Sequence, residues 1–194
     1  MNKAGIILLI PFLFYYSCRQ HAKHTNAREQ VNNDTAKFFD VTHYIQSQIA
    51  DVNKTPYFIY KLTVTNGKKD SVAINTDLFN TISVQFLKPD INDTAFKKRY
   101  TESIFHDLTT KSFTISYTSS DKQLEIQNVE VLLQEDGETV KRIFIRKFFN
   151  YSDSSAIEQL SWKPGQSFQI NRLVQKTDNK EIAYQTNVIW NEKS

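Results

Sequence analysis

The residues able to do chemistry are few and scattered. Cys18 is the only cysteine of the 194-residue chain, which leaves no disulfide framework and no thiolate cluster for a metal. His21 and His24 stand at a ligand-like spacing, but within a polar stretch, Arg19 to Asp34, whose one aliphatic residue larger than alanine is Val31. Metal ligands must be held and oriented by outer partners, and such a stretch holds nothing. His43 falls in a helical pattern beside Tyr44. His106 and Asp107 fall in a strand pattern, where adjacent side chains point to opposite faces and form no dyad with each other. Glu135-Asp136-Gly137-Glu138 reads as a hairpin tip, and a solvated turn supplies no burial with which to tune a general acid. None of the four glycines opens a phosphate-cradling loop. No Gly-x-Ser-x-Gly elbow is present, and Asp90 to Asp93 lacks the oxygen spacing of a calcium loop. The residues therefore name no catalytic group, no metal and no cofactor.

What remains is aromatic and basic. The chain has 14 Phe and 9 Tyr against 4 Gly and 4 Pro, a balance that favours regular, packed strands. Phe144, Phe148, Trp162, Tyr184 and Trp190 are spread over the C-terminal strand patterns. A curved sheet lined with them would hold an acyl chain or another hydrophobic ligand. The same residues would equally make a core against a helix. Arg142 and Arg146 share a strand face with Val140, Phe144 and Phe148, where their stems would cover apolar surface and their heads reach water. These, with Lys97-Lys98-Arg99, fit contact with anionic headgroups or an acidic polymer, and also an ordinary solvated surface. The net charge of +3 exerts no strong pull toward nucleic acid, which is not an expected partner.

The elements that must position these residues follow from periodicity. Asp34 or Thr35 caps a helix whose Phe38, Val41, Ile45, Ile49 and Val52 recur at spacings of three and four, and Pro56 ends it. Tyr57 to Thr65 alternates as a strand. Asn66-Gly67 is a hairpin signal, and Lys69 to Asn75 returns. Thr76-Asp77 opens a second helix with Leu78, Phe79, Ile82 and Phe86 on one side, stopped at Lys88-Pro89. Asn92 to Tyr100 forms a short third helix. From Glu102 onward the pattern is strand after strand: 103–108, 112–119, 123–134, 139–149, 154–162, 166–176 and 182–190. The short turn-forming breaks between them imply antiparallel neighbours. In 123–134 the alternation changes phase near Asn128, which predicts a β-bulge. Helices grouped early and strands grouped late give an α+β fold. The expectation is a curved antiparallel β-meander of about seven to nine strands, packed against an N-terminal helix and one or two short helices.

Ahead of this domain, Ala4 to Tyr16 is an apolar run behind one charge, Lys3. It is shorter than the roughly 20 residues a spanning helix needs and fits a secretory h-region. Ser17-Cys18 then resembles bacterial lipoprotein signal peptides, in which a small residue precedes the cysteine that becomes the lipidated first residue. Tyr15 and Tyr16 depart from the aliphatic and small residues usual there. The resemblance covers the first 18 residues and implies a signal peptide over 1–17 and lipidation at Cys18. The polar composition up to Asp34 buries too little apolar surface to order itself, so 18–34 is expected to be the lipidated cysteine and a flexible tether. A single globular domain follows over 35–194. The domain itself resembles uncharacterised small lipoproteins of the Bacteroidetes group. It does so through Phe38-Phe39-Asp40 with Tyr44 and Ile45, through Val64-Thr65-Asn66-Gly67-Lys68, and through Lys88-Pro89-Asp90-Ile91-Asn92 with Tyr100. That resemblance implies an anchored envelope protein and no particular activity. The resemblance implies acidic signals for export to the cell surface, whereas the residues after Cys18 are basic and polar; the expected position is therefore the outer membrane, facing the periplasm.

The expected function is a non-enzymatic, membrane-anchored envelope lipoprotein that binds a protein or another envelope component. The competing reading is a carrier or sensor of a lipid or hydrophobic ligand in a half-barrel groove; a continuous apolar cavity between helix and sheet would favour it, and a filled core would count against it. A hydrolase assembled from distant residues is the third; its sign would be paired buried carboxylates, or a His-carboxylate pair, in one cleft.

Overall fold

The computed structural model describes residues 38–191. The predicted signal peptide, Cys18, the tether, His21 and His24 lie outside the described residues. Helix α1 spans Val41–Lys54. Strands β1 (Ile59–Thr65) and β2 (Lys68–Ile74) form a hairpin. Helix α2 (Thr76–Ser83), a 3-10 turn (Val84–Phe86) and the four-residue α3 (Thr94–Lys97) follow. Then come β3 (Tyr100–Asp107), β4 (Ser112–Ser119), β5 (Ile126–Leu133) and β6 (Val140–Asn150). The chain closes with β7 (Ser154–Lys163), β8 (Ser167–Lys176) and β9 (Glu181–Ile189). All nine strands join one antiparallel sheet in the order β2-β1-β9-β8-β7-β6-β5-β4-β3. The result is the expected α+β fold, a large curved and open sheet packed against the N-terminal helix and the short helices. Among the described residues, no helix is long and apolar enough to cross a membrane.

Local chemistry explains most boundaries. In the β1–β2 turn, Asn66 and Gly67 both take positive φ, 48° and 84°, the backbone a tight hairpin of this hand requires. The extra residue predicted near Asn128 is Gln127. Ile126 pairs with Lys147 and Asn128 with Arg146, so Gln127 bulges out of register. Three expected boundaries shift by about three residues: α3 stops at Lys97 and Tyr100 opens β3, while β5 starts at Ile126 and not at 123. The largest departure is at α1, which begins at Val41, not near Asp34. Asp40 caps it, its carboxylate accepting the His43 N–H at 2.9 Å. Phe38 and Phe39 stay outside the helix because β4 claims them. The Phe38 ring stacks on Tyr117 at 4.5 Å, and the Phe39 N–H donates to the Tyr117 hydroxyl at 2.7 Å.

The core lies between the helices and one face of the sheet. Val41, Ile45 and Val52 of α1 and Phe79 of α2 meet Tyr117, Val129, Val131, Ile143, Ile145, Leu160, Trp162 and Phe168 from the strands. Each such side chain contributes about 1.5–3 kcal/mol by leaving water. Gln48 ties α1 to the β7–β8 turn by accepting the Gly165 N–H at 3.0 Å. Two expected placements differ. Leu78, on the predicted apolar side of α2, is exposed. Val140 is buried instead of sharing a face with Arg142, because a second register shift separates them.

Candidate functional site

The five aromatics that the sequence offers as a ligand site do not come together. Trp162 and Trp190 are 0% and 4% exposed and belong to the core. They pack with Phe79, Phe86 and Phe168 at centroid distances of 5.1 to 6.1 Å. Neither indole N–H finds an oxygen or nitrogen acceptor among the described residues, and each indole meets a phenyl ring at 80°. This aromatic cluster occupies the space between helices and sheet. Phe144 and Phe148 lie on the opposite, outer face, both partly exposed. The Arg142 guanidinium sits 5.8 Å over the Phe144 ring and donates to the Ser161 hydroxyl at 3.0 Å. Tyr184 pairs with Arg172 and Thr65 in register and is exposed near the β8–β9 hairpin.

The outer face carries the organised feature. Phe148 pairs with Ile157, Ile157 with Leu173 and Leu173 with Ala183. Paired residues point to one side of a sheet, so these four form an apolar row across β6, β7, β8 and β9. Beside it runs a polar row: Asn128, Arg146, Gln159, Asn171 and Gln185, continued on β1 by Val64. Directly under the apolar row, on the helix side, the paired residues are Lys147, Glu158 and Arg172. Lys147 and Glu158 are each only 4% exposed. The usual polarity of a half-solvated sheet is thus inverted here, with charge inside and hydrocarbon outside.

The inner charges are matched. Lys147 donates to Glu125 at 3.0 Å and to the Lys88 carbonyl. Glu158 accepts from Arg172 at 2.7 Å, and Arg172 also donates to the Tyr151 hydroxyl at 3.2 Å. Burial alone would lower the pKa of Arg172, but Tyr151 and Glu158 outweigh it and the pKa is raised. A charged pair satisfied in this way holds the strand row in register without offering a free group to a substrate.

Two grooves open on the outer face and meet at Ile157. One, of about 370 Å³, is lined by Val64, Ile157, Leu173 and Ala183 with the amides of Asn66, Gln159, Asn171 and Gln185; Arg172 and Tyr184 border it. The other, of about 460 Å³, is lined by Lys122, Gln127, Arg146, Lys147, Phe148 and Ile157. The Gln127 bulge builds its rim. The Gln127 side-chain amide donates to the Asp121 and Leu124 carbonyls, and the Asp121 carboxylate accepts the Gln123 N–H at 2.8 Å. That Gln123 bond, then the Arg99 ion pair, hold the Asp121 carboxyl below the usual range. Lys122 is carried between these fixed points.

Other candidates stand apart. His106 stacks on Phe113 at 4.1 Å, and His43 is in the first turn of α1. Asp107 ends β3 and Asp136 lies in the β5–β6 turn, each held below the usual range chiefly by a threonine hydroxyl, Thr110 and Thr139 respectively. Among the described residues, no three His, Cys, Asp or Glu side chains gather where they could hold a metal ion.

Ile157, Leu173, Val64 and Lys122 were not singled out by sequence. The signal that could have found two of them, Ile157 and Leu173, is local: Ile157-Glu158 and Arg172-Leu173, like Lys147-Phe148, each put a charge next to a large apolar residue. Pairing those dipeptides in register reveals the inverted row. No family model matches the chain, and no curated protein does. Among solved structures the chain is similar to an S-type phycobiliprotein lyase from Guillardia theta. The identity is 10% and the TM-score 0.27, over 78% of this chain and 99% of that one. At that score the similarity carries no argument about the ligand, and the site rests on its own geometry.

Proposed function

We propose that this chain is an envelope lipoprotein, anchored through Cys18, whose globular domain binds a hydrophobic ligand laid across the outer face of its sheet. It is a carrier or sensor and performs no chemistry of its own. The observation that carries this reading is the inverted polarity at Phe148, Ile157 and Leu173. Hydrocarbon set outward above matched inward charges gains nothing in a lone domain and gains about 25 cal/mol per Å² once a ligand covers it. Two grooves that meet on that row give the ligand a bed. The aromatic core fills the space between helices and sheet where the half-barrel groove was expected, so the bed proposed here is the outer face instead. The separation of the described histidines, and the commitment of Glu158 to Arg172, support a binding role over a catalytic one.

The test is titration of the purified protein with a fluorescent fatty-acid probe, comparing the natural chain with Ile157→Asp. The expected result is saturable binding that the substitution weakens about tenfold or more, since a buried carboxylate without a partner is costly. Circular dichroism should be unchanged. Equal binding by both proteins would overturn the assignment of the site.

A second reading, a protein partner, is favoured by one feature. Edge strand β3 exposes Ile104 and Phe105, with Leu108 just beyond, and an open apolar edge is a template for strand addition.

A further inference from the structure

Resting on the binding site proposed above, we infer that its ligand is a single-chain amphiphile with an anionic head, and that Arg146 and Lys122 hold the head. Arg146 is on the outer face of β6, paired with Asn128 on one side and Gln159 on the other. It lines the same groove as Phe148 and Ile157. The other described arginines are engaged: Arg99 with Asp121, Arg142 with Ser161 and the Phe144 ring, Arg172 with Glu158 and Tyr151. Arg146 makes no ion pair, hydrogen bond or ring contact among the described residues. The acid closest to it by register on that face is Glu130, which sits opposite Phe144 and forms no ion pair with Arg146. A guanidinium left open beside hydrocarbon is a receptor for a planar or tetrahedral oxyanion, which it binds through two parallel N–H bonds.

Lys122 adds a second positive charge at the rim, on a turn fixed by Asp121 and Gln127. The apolar row then leads away from these cations toward β9. Strands about 4.8 Å apart make that path about 14 Å long from β6 to β9, the reach of a hydrocarbon chain and not of a compact solute. The site is therefore polar in one sense along its length: head at β6, tail toward the β8–β9 hairpin. A carboxylate and a phosphate monoester share the chemistry that Arg146 recognises.

Three probes with the same chain test this on the full-length protein: palmitate, palmitoyl lysophosphatidate and neutral monopalmitin. The two anions should bind at least about tenfold tighter than monopalmitin, the worth of a charge-assisted pair. Arg146→Gln, and separately Lys122→Gln, should weaken binding of the two anions by a larger factor than they change monopalmitin binding, and so cut into that advantage. A preference for lysophosphatidate would identify a phospholipid head, and a preference for palmitate a free fatty acid. Equal binding of all three probes, or an anion advantage that survives both substitutions, would overturn the head assignment and leave the hydrophobic site standing. No binding of any probe would overturn the site itself.

Discussion

Trp162 and Phe148 are large aromatics on neighbouring strands, and register alone gives them opposite work. Trp162 pairs with Ile143 and Phe168 on the helix side, whereas Phe148 pairs with Ile157 on the outer side. Trp162→Ala should cost about 3–5 kcal/mol in urea unfolding, because it opens a cavity in a packed aromatic cluster. Phe148→Ala should cost about 1 kcal/mol or less, with its effect appearing in ligand binding instead. Equal costs would contradict the division between core and site. The sequence shows both residues only as aromatics in strands, since alternation fixes which side chains share a face and not which face is covered. Tyrosines report the same burial through pH. Burial pushes the Tyr100 hydroxyl, which donates to the Ile126 carbonyl at 2.8 Å, up to about 12. Burial likewise raises Tyr117, against the Phe39 N–H that favours its charged form. A raised phenol is neutral in the fold and ionises more readily when unfolded. The stability it contributes is therefore complete below pH 10.0, the ordinary tyrosine value, and is lost as pH climbs toward about 12. Urea midpoints measured from pH 9 upward should fall in that window, and Tyr100→Phe should make the fall shallower.

At the scale of elements, the order of helices and strands was legible in the sequence because its turns are marked by Asn, Asp, Gly and Pro. Asn66-Gly67 and the bulge at Gln127 are the best cases, each announced by composition or by a change of phase. The start of α1 was not legible. Phe38 continues the helical spacing of Val41 and Ile45, but a contact 79 residues away in sequence, the Tyr117 ring, draws it out. No local signal records such a contact. The two sheet edges also differ in a way only the strand order exposes. Edge β2 carries Lys68, Lys69 and Asp70, charges that resist pairing with another sheet. Edge β3 carries Ile104 and, 62% exposed, Phe105. Phe105→Lys should lower concentration-dependent self-association in light scattering and leave binding of the acyl probe unchanged. If instead it removed probe binding, the ligand would sit at the edge and not on the outer face.

At the scale of the whole molecule, the proposed role needs two parts, an anchor at Cys18 and a bed for hydrocarbon on the sheet. The aromatic content of the C-terminal strands fits apolar binding or a core, and the fold divides those aromatics, burying Trp162 and Trp190 and leaving Phe144, Phe148 and Tyr184 exposed. Only Phe148 of the five aromatics first considered lines the groove that Arg146 shares, because the pairing of strands distant in sequence decides what is adjacent. The inverted row could not be read from any single strand. Its three charged and four apolar members come from four strands, and their order is a property of the sheet. The most direct measurement is mass spectrometry of the full chain purified from its own envelope, taken under native and then denaturing conditions, alongside Ile157→Asp. The denatured mass reports the covalent state of the chain and should correspond to a lipidated product beginning at Cys18. The native mass should exceed it by one acyl-bearing anion, a difference that Ile157→Asp abolishes. Native and denatured masses that agree for the natural chain, or an added mass that carries no acyl chain, would contradict the claim that this sheet binds a hydrophobic ligand.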